Sequence, residues 1–261
     1  MQLIDPSFEI IEQAPGLKGL KQAIERAGRT CYKSEDKITE DSCEEFTQRM
    51  VNSGHHAMLE HGTVYLQTDD DDMVDFYYNN KYSKVTATKD FYYITTNYRV
   101  LVENDLLWDL ECLCEPTEYH EKRITVKFTC DRGVSHEFVR HRVSSFAQES
   151  TRYCNYMKDK FGMSVSFIYP EWLQDSEYLE FEEDCRILEM MYFKWINKGW
   201  TAQQARYFLP TGVKTELVMT AFASDWNHFF DLRCHSTAHP QARELAIPLK
   251  ETFIEKGYIN G

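Results

Sequence analysis

The sequence predicts a single mixed α/β domain of the α+β kind, with an antiparallel or mixed sheet early in the chain and a helical C-terminal half. Three observations predict it. Strand-like alternation is concentrated before residue 131, and helix-spaced apolar residues dominate from about 176 onward. No G-x-G-x-x-G string occurs, so a Rossmann dinucleotide fold is not expected. With 261 residues, 43% of them hydrophobic, the chain can build one sizeable core.

Residues 18–29 place Leu20, Ile24 and Ala27 on one helical face. Residues 41–53 predict a second helix, opened by Asp41 or Ser42, carrying Phe46, Met50 and Val51 inward and ending at Gly54. Thr63 to Gln67 reads as a strand. The four aspartates 69–72 repel one another and are expected in a solvated turn or helix start. The Tyr-, Thr- and Val-rich segment 82–103 predicts two strands, or a strand and a helix start, about Lys89 and Asp90, and 104–115 looks helical. From Arg123 to Cys130 the alternation is clean, with Ile124, Val126, Phe128 and Cys130 facing one way. Asp131-Arg132-Gly133 turns the chain into a helix over 134–142, with Val134, Phe138 and His141 on one side. A polar loop is expected over 143–153. Helices are then expected at 176–198, at 201–208 with a Thr201/Gln204 capping box, at 213–223, 225–233 and 239–256, the last kinked or broken at Pro248.

The net charge of −13 disfavours broad binding to nucleic acid or anionic membranes. No apolar run is long enough to span a bilayer, and Met1 to Glu12 lacks a basic region before an apolar stretch, so a cytoplasmic location is expected. The eight cysteines are scattered, and Cys112 and Cys114 lack zinc or redox spacing, so reduced thiols are expected. His55, His56, Glu60 and His61 lack the HExxH pattern, and no metal site is expected.

Positive charge gathers in one place. The string VRHRVSSFAQESTRY, residues 139–153, holds Arg140, His141, Arg142 and Arg152, with Ser144, Ser145, Gln148 and Ser150 between them. Guanidinium forks suit phosphate and ring carbonyl oxygens, and short hydroxyls with loop N–H groups complete an anion cradle. The string resembles R-H-R-x-x-S-x-x-[EQ]-x-S-x-R, the motif of flavin-dependent thymidylate synthases. Gly54-His55-His56 and Leu59-Glu60-His61 are similar to that family's flavin-contacting segment. DRGVSHEFVRHR, Ala205–Pro210 (ARYFLP) and Trp226–Arg233 (WNHFFDLR) are similar to further family elements. The likeness covers about residues 50–67 and 123–245, and about 69–122 looks like an insertion within one domain spanning 1–261.

The resemblance implies reductive methylation of dUMP to dTMP, with FAD as hydride carrier, NADPH as reductant and 5,10-methylenetetrahydrofolate as carbon donor. It also implies a homotetramer with active sites shared between chains. Carried over position by position, His55, Ala57, Glu60, Arg140, His141, Arg142, Gln148, Phe222, Ala223, Ser224 and His228 would contact FAD. Glu137, Phe138, Val139, Arg140, Gln148, Glu149, Ser150, Thr151, Arg152, Arg206 and Arg233 would lie against dUMP. Arg233 would be the catalytic group, favouring ionisation at the uracil N3. A fixed cation there stabilises charge developing on the pyrimidine. No enzymic cysteine nucleophile is implied; the cofactor carries the hydride chemistry. Four positions depart from the family's usual form. Glu137 stands where glutamine is common, Ala57 where a hydroxyl is, and Phe222 and Ser224 where an asparagine and a basic residue are. A non-catalytic nucleotide-binding module is the alternative reading, and a single-stranded nucleic-acid binder is disfavoured by the acidic charge.

Overall fold

The computed structural model describes residues 1–260. In chain order its strands are β1 (Gln2–Ile4), β2 (Ser7–Ile11), β3 (Thr63–Thr68), β4 (Lys84–Ala87), β5 (Tyr92–Asn97), β6 (Arg123–Asp131), β7 (Ser145–Gln148), β8 (Ser166–Ile168) and β9 (Lys214–Phe222). Its α-helices are α1 (Gly16–Tyr32), α2 (Ser42–Asn52), α3 (Asp71–Asn79), α4 (Tyr98–Glu103), α5 (Arg132–Phe138), α6 (Tyr178–Asn197), α7 (Ala202–Ala205), α8 (Ala223–Arg233) and α9 (Pro240–Glu255). None is long and apolar enough to cross a membrane.

A four-stranded antiparallel sheet in the order β2-β6-β9-β7 organises the molecule. The predicted alternation in β6 is realised. Ile124, Val126, Phe128 and Cys130 all enter the main core, where they meet Phe138 of α5, Trp226, Phe229 and Phe230 of α8, and Leu249 and Phe253 of α9. The opposite face receives α1, with Ala27 against Ala147 and Val218. Gly28 permits a close approach at α1: a Cβ there would lie 2.4 Å from the Phe46 ring. A second sheet, β3-β5-β4, packs with α1 to α4 around Leu20, Ile24, Leu59, Leu66 and Ile94. Residues 69–122 thus supply two of its three strands. A third cluster under α6 holds Tyr156, Phe167, Tyr192 and Val213. The short β1 and β8 pair in parallel.

The aspartate run starts a helix: the Asp70 carboxylate accepts hydrogen bonds from the Asp72 and Met73 N–H groups, satisfying two otherwise unpaired donors of α3. Segment 82–103 forms two strands followed by α4, while 104–115 contributes only a 3-10 turn, Leu107–Cys112. Gly54 leaves α2 with a φ of 69°, and the Thr201/Gln204 capping box is present.

Several sequence expectations are corrected. Residues 214–222 form β9, a central strand, not a helix. Its two faces are both covered, so its apolar run loses the period-two signature and resembles a buried helix. This late strand also breaks the expected division into early strands and late helices. The polar stretch 143–153 contains β7, an edge strand whose partner is β9 and whose residues are too few to show a period. Helix α5 stops at Phe138, four residues before the expected end, and α9 is not broken at Pro248, which lies inside it.

Candidate active site

Antiparallel pairing of β6 with β9 sets the geometry. Register runs from Arg123 opposite Phe222 to Asp131 opposite Lys214, so the two strands end at opposite edges. α5 leaves β6 directly, its first turn capped by Asp131, whose Oδ1 accepts from the Val134 N–H at 2.8 Å. α8 leaves β9 at the other edge. Both pack on the same sheet face, and α8 runs back across it for 11 residues, about 16 Å at helical rise. Its last residue, Arg233, thereby meets the last turn of α5.

There the Arg233 guanidinium is fully directed. Nη1 donates to Glu137 Oε2 at 2.5 Å, Nη2 to the Glu137 carbonyl at 2.8 Å, and Nε to His141 Nε2 at 2.9 Å. The contact with the carbonyl places a cation at the α5 C-terminus, where the helix dipole favours it. Burial, together with the charges of Arg233 and His228, lowers the His141 pKa to about 4. The imidazole is therefore neutral at pH 7. Because Nε2 accepts from Arg233, Nδ1 carries the proton, and this N–H is buried without a partner. The His228 ring stands 5.7 Å from His141.

The other side of α5 receives Gln148. Its Nε2 donates to Ser135 Oγ at 2.8 Å and to Thr215 Oγ1 at 3.2 Å. Arg206 reaches the motif loop through Thr151 Oγ1 at 3.4 Å. Ser150 Oγ accepts from the Arg152 N–H, and the Ser150 N–H donates to the Cys31 carbonyl at the end of α1. Arg140, Arg142, Arg152 and Arg206 are exposed, and none is paired with a carboxylate among the described residues. In a chain of net charge −13, these four exposed guanidinium groups stand without carboxylate partners, a condition that suits an anion. Val139 is half-buried at the end of α5, and the Phe138 ring is sealed in the core against Phe128 and Phe229, leaving only its backbone to face a ligand.

Glu149 behaves differently from its neighbours. It lies on the opposite side of the strand from Gln148, is 2% exposed, and points inward. Its Oε2 accepts from Lys214 Nζ at 2.9 Å and its Oε1 from the Tyr156 hydroxyl at 3.2 Å. Lys214 also donates to Glu216 Oε1, the same oxygen that Lys33 reaches at 2.6 Å. Burial opposes charge on Glu216, but Lys214 and Lys33 overcome it and bring its pKa from 4.5 to about 2. Its folded-state pKa is depressed, so its stabilising contribution is complete above pH 4.5 and is lost as pH falls toward 2. Thermal melts of the native protein and Glu216→Gln between pH 6 and 3 should converge as the pH is lowered. A gap that widens on acidification would contradict the assignment.

Of the flavin-side candidates, His141 bonds Arg233 directly and His228 stands beside it, whereas those of the 55–60 segment have other partners. His55 is exposed, with Nδ1 3.4 Å from the Tyr32 hydroxyl; the Tyr32 ring lies 5.2 Å from Tyr153, which in turn lies under Arg152. Ala57 is exposed, and Glu60 binds Arg99 of α4 at 2.6 Å. Phe222 is buried, Ala223 begins α8, and Ser224 donates to Glu121. No side-chain hydrogen bond or ion pair joins His55, Ala57 or Glu60 to Arg233, His141 or His228 among the described residues. His56 pairs with Glu103 and His61 turns inward to Thr220, so the histidine-rich segment disperses. No group of three or more potential metal ligands converges among the described residues.

Two arginines escaped the sequence reading. Arg123 Nη1 donates to the Glu60 carbonyl at 2.9 Å, Nη2 donates to Ser145 Oγ at 3.2 Å, and the guanidinium lies 5.6 Å from the Phe222 ring. It thus ties the 55–61 segment to β7 and β9, and burial lowers its pKa to about 10. Arg132 reaches the Glu149 carbonyl and Thr215 Oγ1, both at 3.4 Å. An arginine beginning the cleanest strand and another at its turn were the available signals.

Residues 117–256, more than half of the chain, match the family model described as thymidylate synthase complementing protein. The chain belongs to this family. It is similar to a flavin-dependent thymidylate synthase of Pyrococcus furiosus, with 31% identity over 130 residues, 49% of this chain and 52% of the relative. A flavin-dependent thymidylate synthase of Geobacter sulfurreducens is 32% identical over 120 residues, 45% of this chain and 50% of the relative. The chain spans about half the length of these relatives. Among solved structures it is similar to a UMP/dUMP methylase, PolB, of Streptomyces cacaoi bound with 5-Br dUMP, with TM-score 0.47 and 15% identity over 98% of this chain and 93% of that one. In this family member, α5, the arginine motif, Arg206 and α8 all fall inside the matched span. His55, Ala57 and Glu60 lie outside it.

Proposed function

We propose that the protein is a flavin-dependent thymidylate synthase that converts dUMP to dTMP. The observation that carries this reading is the meeting of Arg233 with His141 and Glu137, which unites two sequence elements 92 residues apart that each resemble the family. Arg140, Arg152 and Arg206 with the Ser150 loop would hold the nucleotide and its phosphate, and Gln148 would lie between nucleotide and flavin. Arg233 would favour negative charge at the uracil N3.

The residues present fit a flavin. The unpartnered His141 Nδ1–H is a buried donor without an acceptor, as a ring carbonyl or ring nitrogen would supply, and the free Arg140 and Arg142 suit phosphate oxygens. Bound FAD would supply the hydride, with NADPH as reductant and 5,10-methylenetetrahydrofolate as carbon source. His55, Ala57, Glu60, Phe222, Ala223, Ser224 and His228 would complete the flavin site. The family resemblance implies a homotetramer in which copies share each site. Residues 1–261 would form one domain with an insertion at about 69–122, acting in the cytoplasm.

The visible spectrum of purified protein tests the reading. A flavin band should bleach with NADPH, faster with dUMP present, and 5-tritiated dUMP should release tritium. dUMP binding with neither flavin nor tritium release would instead identify a non-catalytic nucleotide module.

A further inference from the structure

We propose that Glu149, Lys214 and Tyr156 form a buried positioning device that sets the Ser150–Arg152 loop for an anionic nucleotide. The proposal rests on the reading of that loop as the dUMP cradle. Glu149 then serves the ligand through its backbone alone, and its side chain is a strut.

The two ends of the strut are fixed independently. The Glu149 carboxylate is 1% exposed and receives one hydrogen bond from an ammonium and one from a phenol. Its N–H donates to the Glu216 carbonyl at 2.8 Å, and its carbonyl accepts from Arg132 at 3.4 Å. Lys214 is anchored in turn by Glu216, which is held by Lys33 and faced by Lys127 at 3.7 Å. Glu35 lies 3.4 Å from Lys33. These charges come from β6, β9, the residue after β7 and the turn after α1, so the network fastens four separate segments at the point where the loop departs. Directly beyond it, Ser150 bonds the end of α1 and Thr151 receives Arg206.

A buried carboxylate is costly unless paired, and replacing a buried ion pair by neutral groups is often close to neutral for stability. That asymmetry separates positioning from mere support. Lys214→Met leaves Glu149 without its cation, whereas the double variant Glu149→Gln/Lys214→Met removes both charges and nearly keeps the volume, with Glu216 still held by Lys33 and faced by Lys127. The double variant should fold, retain FAD, and bind dUMP about tenfold more weakly by calorimetry. The loss should appear in KM, with kcat changed less than about threefold. Lys214→Arg, which keeps the charge, should recover most of the affinity. Native-like dUMP affinity in the double variant, with or without a lower melting temperature, would overturn the proposal. Failure of the unaltered protein to bind dUMP would instead sink the substrate reading on which it rests.

Discussion

Arg233→Ala is expected to lower dTMP formation by about a hundredfold or more while leaving FAD bound. On the proposed reading, the magnitude follows from removing a fixed charge donor that would face charge developing on the pyrimidine. Arg233 is suited to this because three contacts hold its fork before any ligand arrives: the Glu137 carboxylate, the Glu137 carbonyl and His141 Nε2. Arg233→Lys should be intermediate, since it keeps the charge and loses the fork. The measurement is tritium release from 5-labelled dUMP, with the flavin band as a control for cofactor retention. Near-normal turnover in the alanine variant would remove Arg233 from the chemistry. The Glu137 contact gives a further sign. On the proposed reading, a carboxylate on the guanidinium offsets the positive charge that the pyrimidine would feel, and dUMP would share or displace that bond. A glutamine at this position would carry no such offset.

Trp226→Ala is expected to destabilise the fold by about 3–5 kcal/mol, the usual cost of emptying a large aromatic site. Trp226 is fully buried and touches Phe128, Phe229, Phe230 and Phe253, which joins β6, α8 and α9. Its indole N–H also donates to the Ile124 carbonyl at 3.2 Å. Loss of the ring therefore removes apolar contact and strands an acceptor inside the core. A fall in melting temperature on the order of 10 °C should follow. Trp226→Phe keeps most of the packing and should lose markedly less. Equal melting temperatures for Trp226→Ala and the native protein would show that α8 is not held through this residue, and the placement of Arg233 at its far end would need another cause.

These two residues also mark how much was legible in the sequence. The string from Arg140 to Arg152 and the segment from Trp226 to Arg233 are local patterns, and side-chain chemistry at fixed spacing identifies them without a fold. The same is true of β6, whose one-sided burial writes a period of two, and of α1, whose single apolar face writes a helical period. Composition alone set the acidic charge against which the arginine cluster stands out.

Only the tertiary structure decided the rest. β9 is covered on both faces, so its residues carry no periodic signal, and its identity as a strand depends on β6 and β7 lying beside it. The strand β7 is four residues long and exists because β9 offers it an edge. Glu149 and Gln148 are adjacent in the chain, yet one turns to Lys214 and the other to Ser135, because a strand sends successive side chains to opposite faces and only packing shows what each face meets. Arg123 could be named as a residue from the sequence, but its partners Glu60, Ser145 and Phe222 come from three separate segments. Local patterns are set by neighbours within a few residues and survive in one dimension. Contacts between distant segments depend on which surfaces the whole chain buries together, and that information appears only once it has folded.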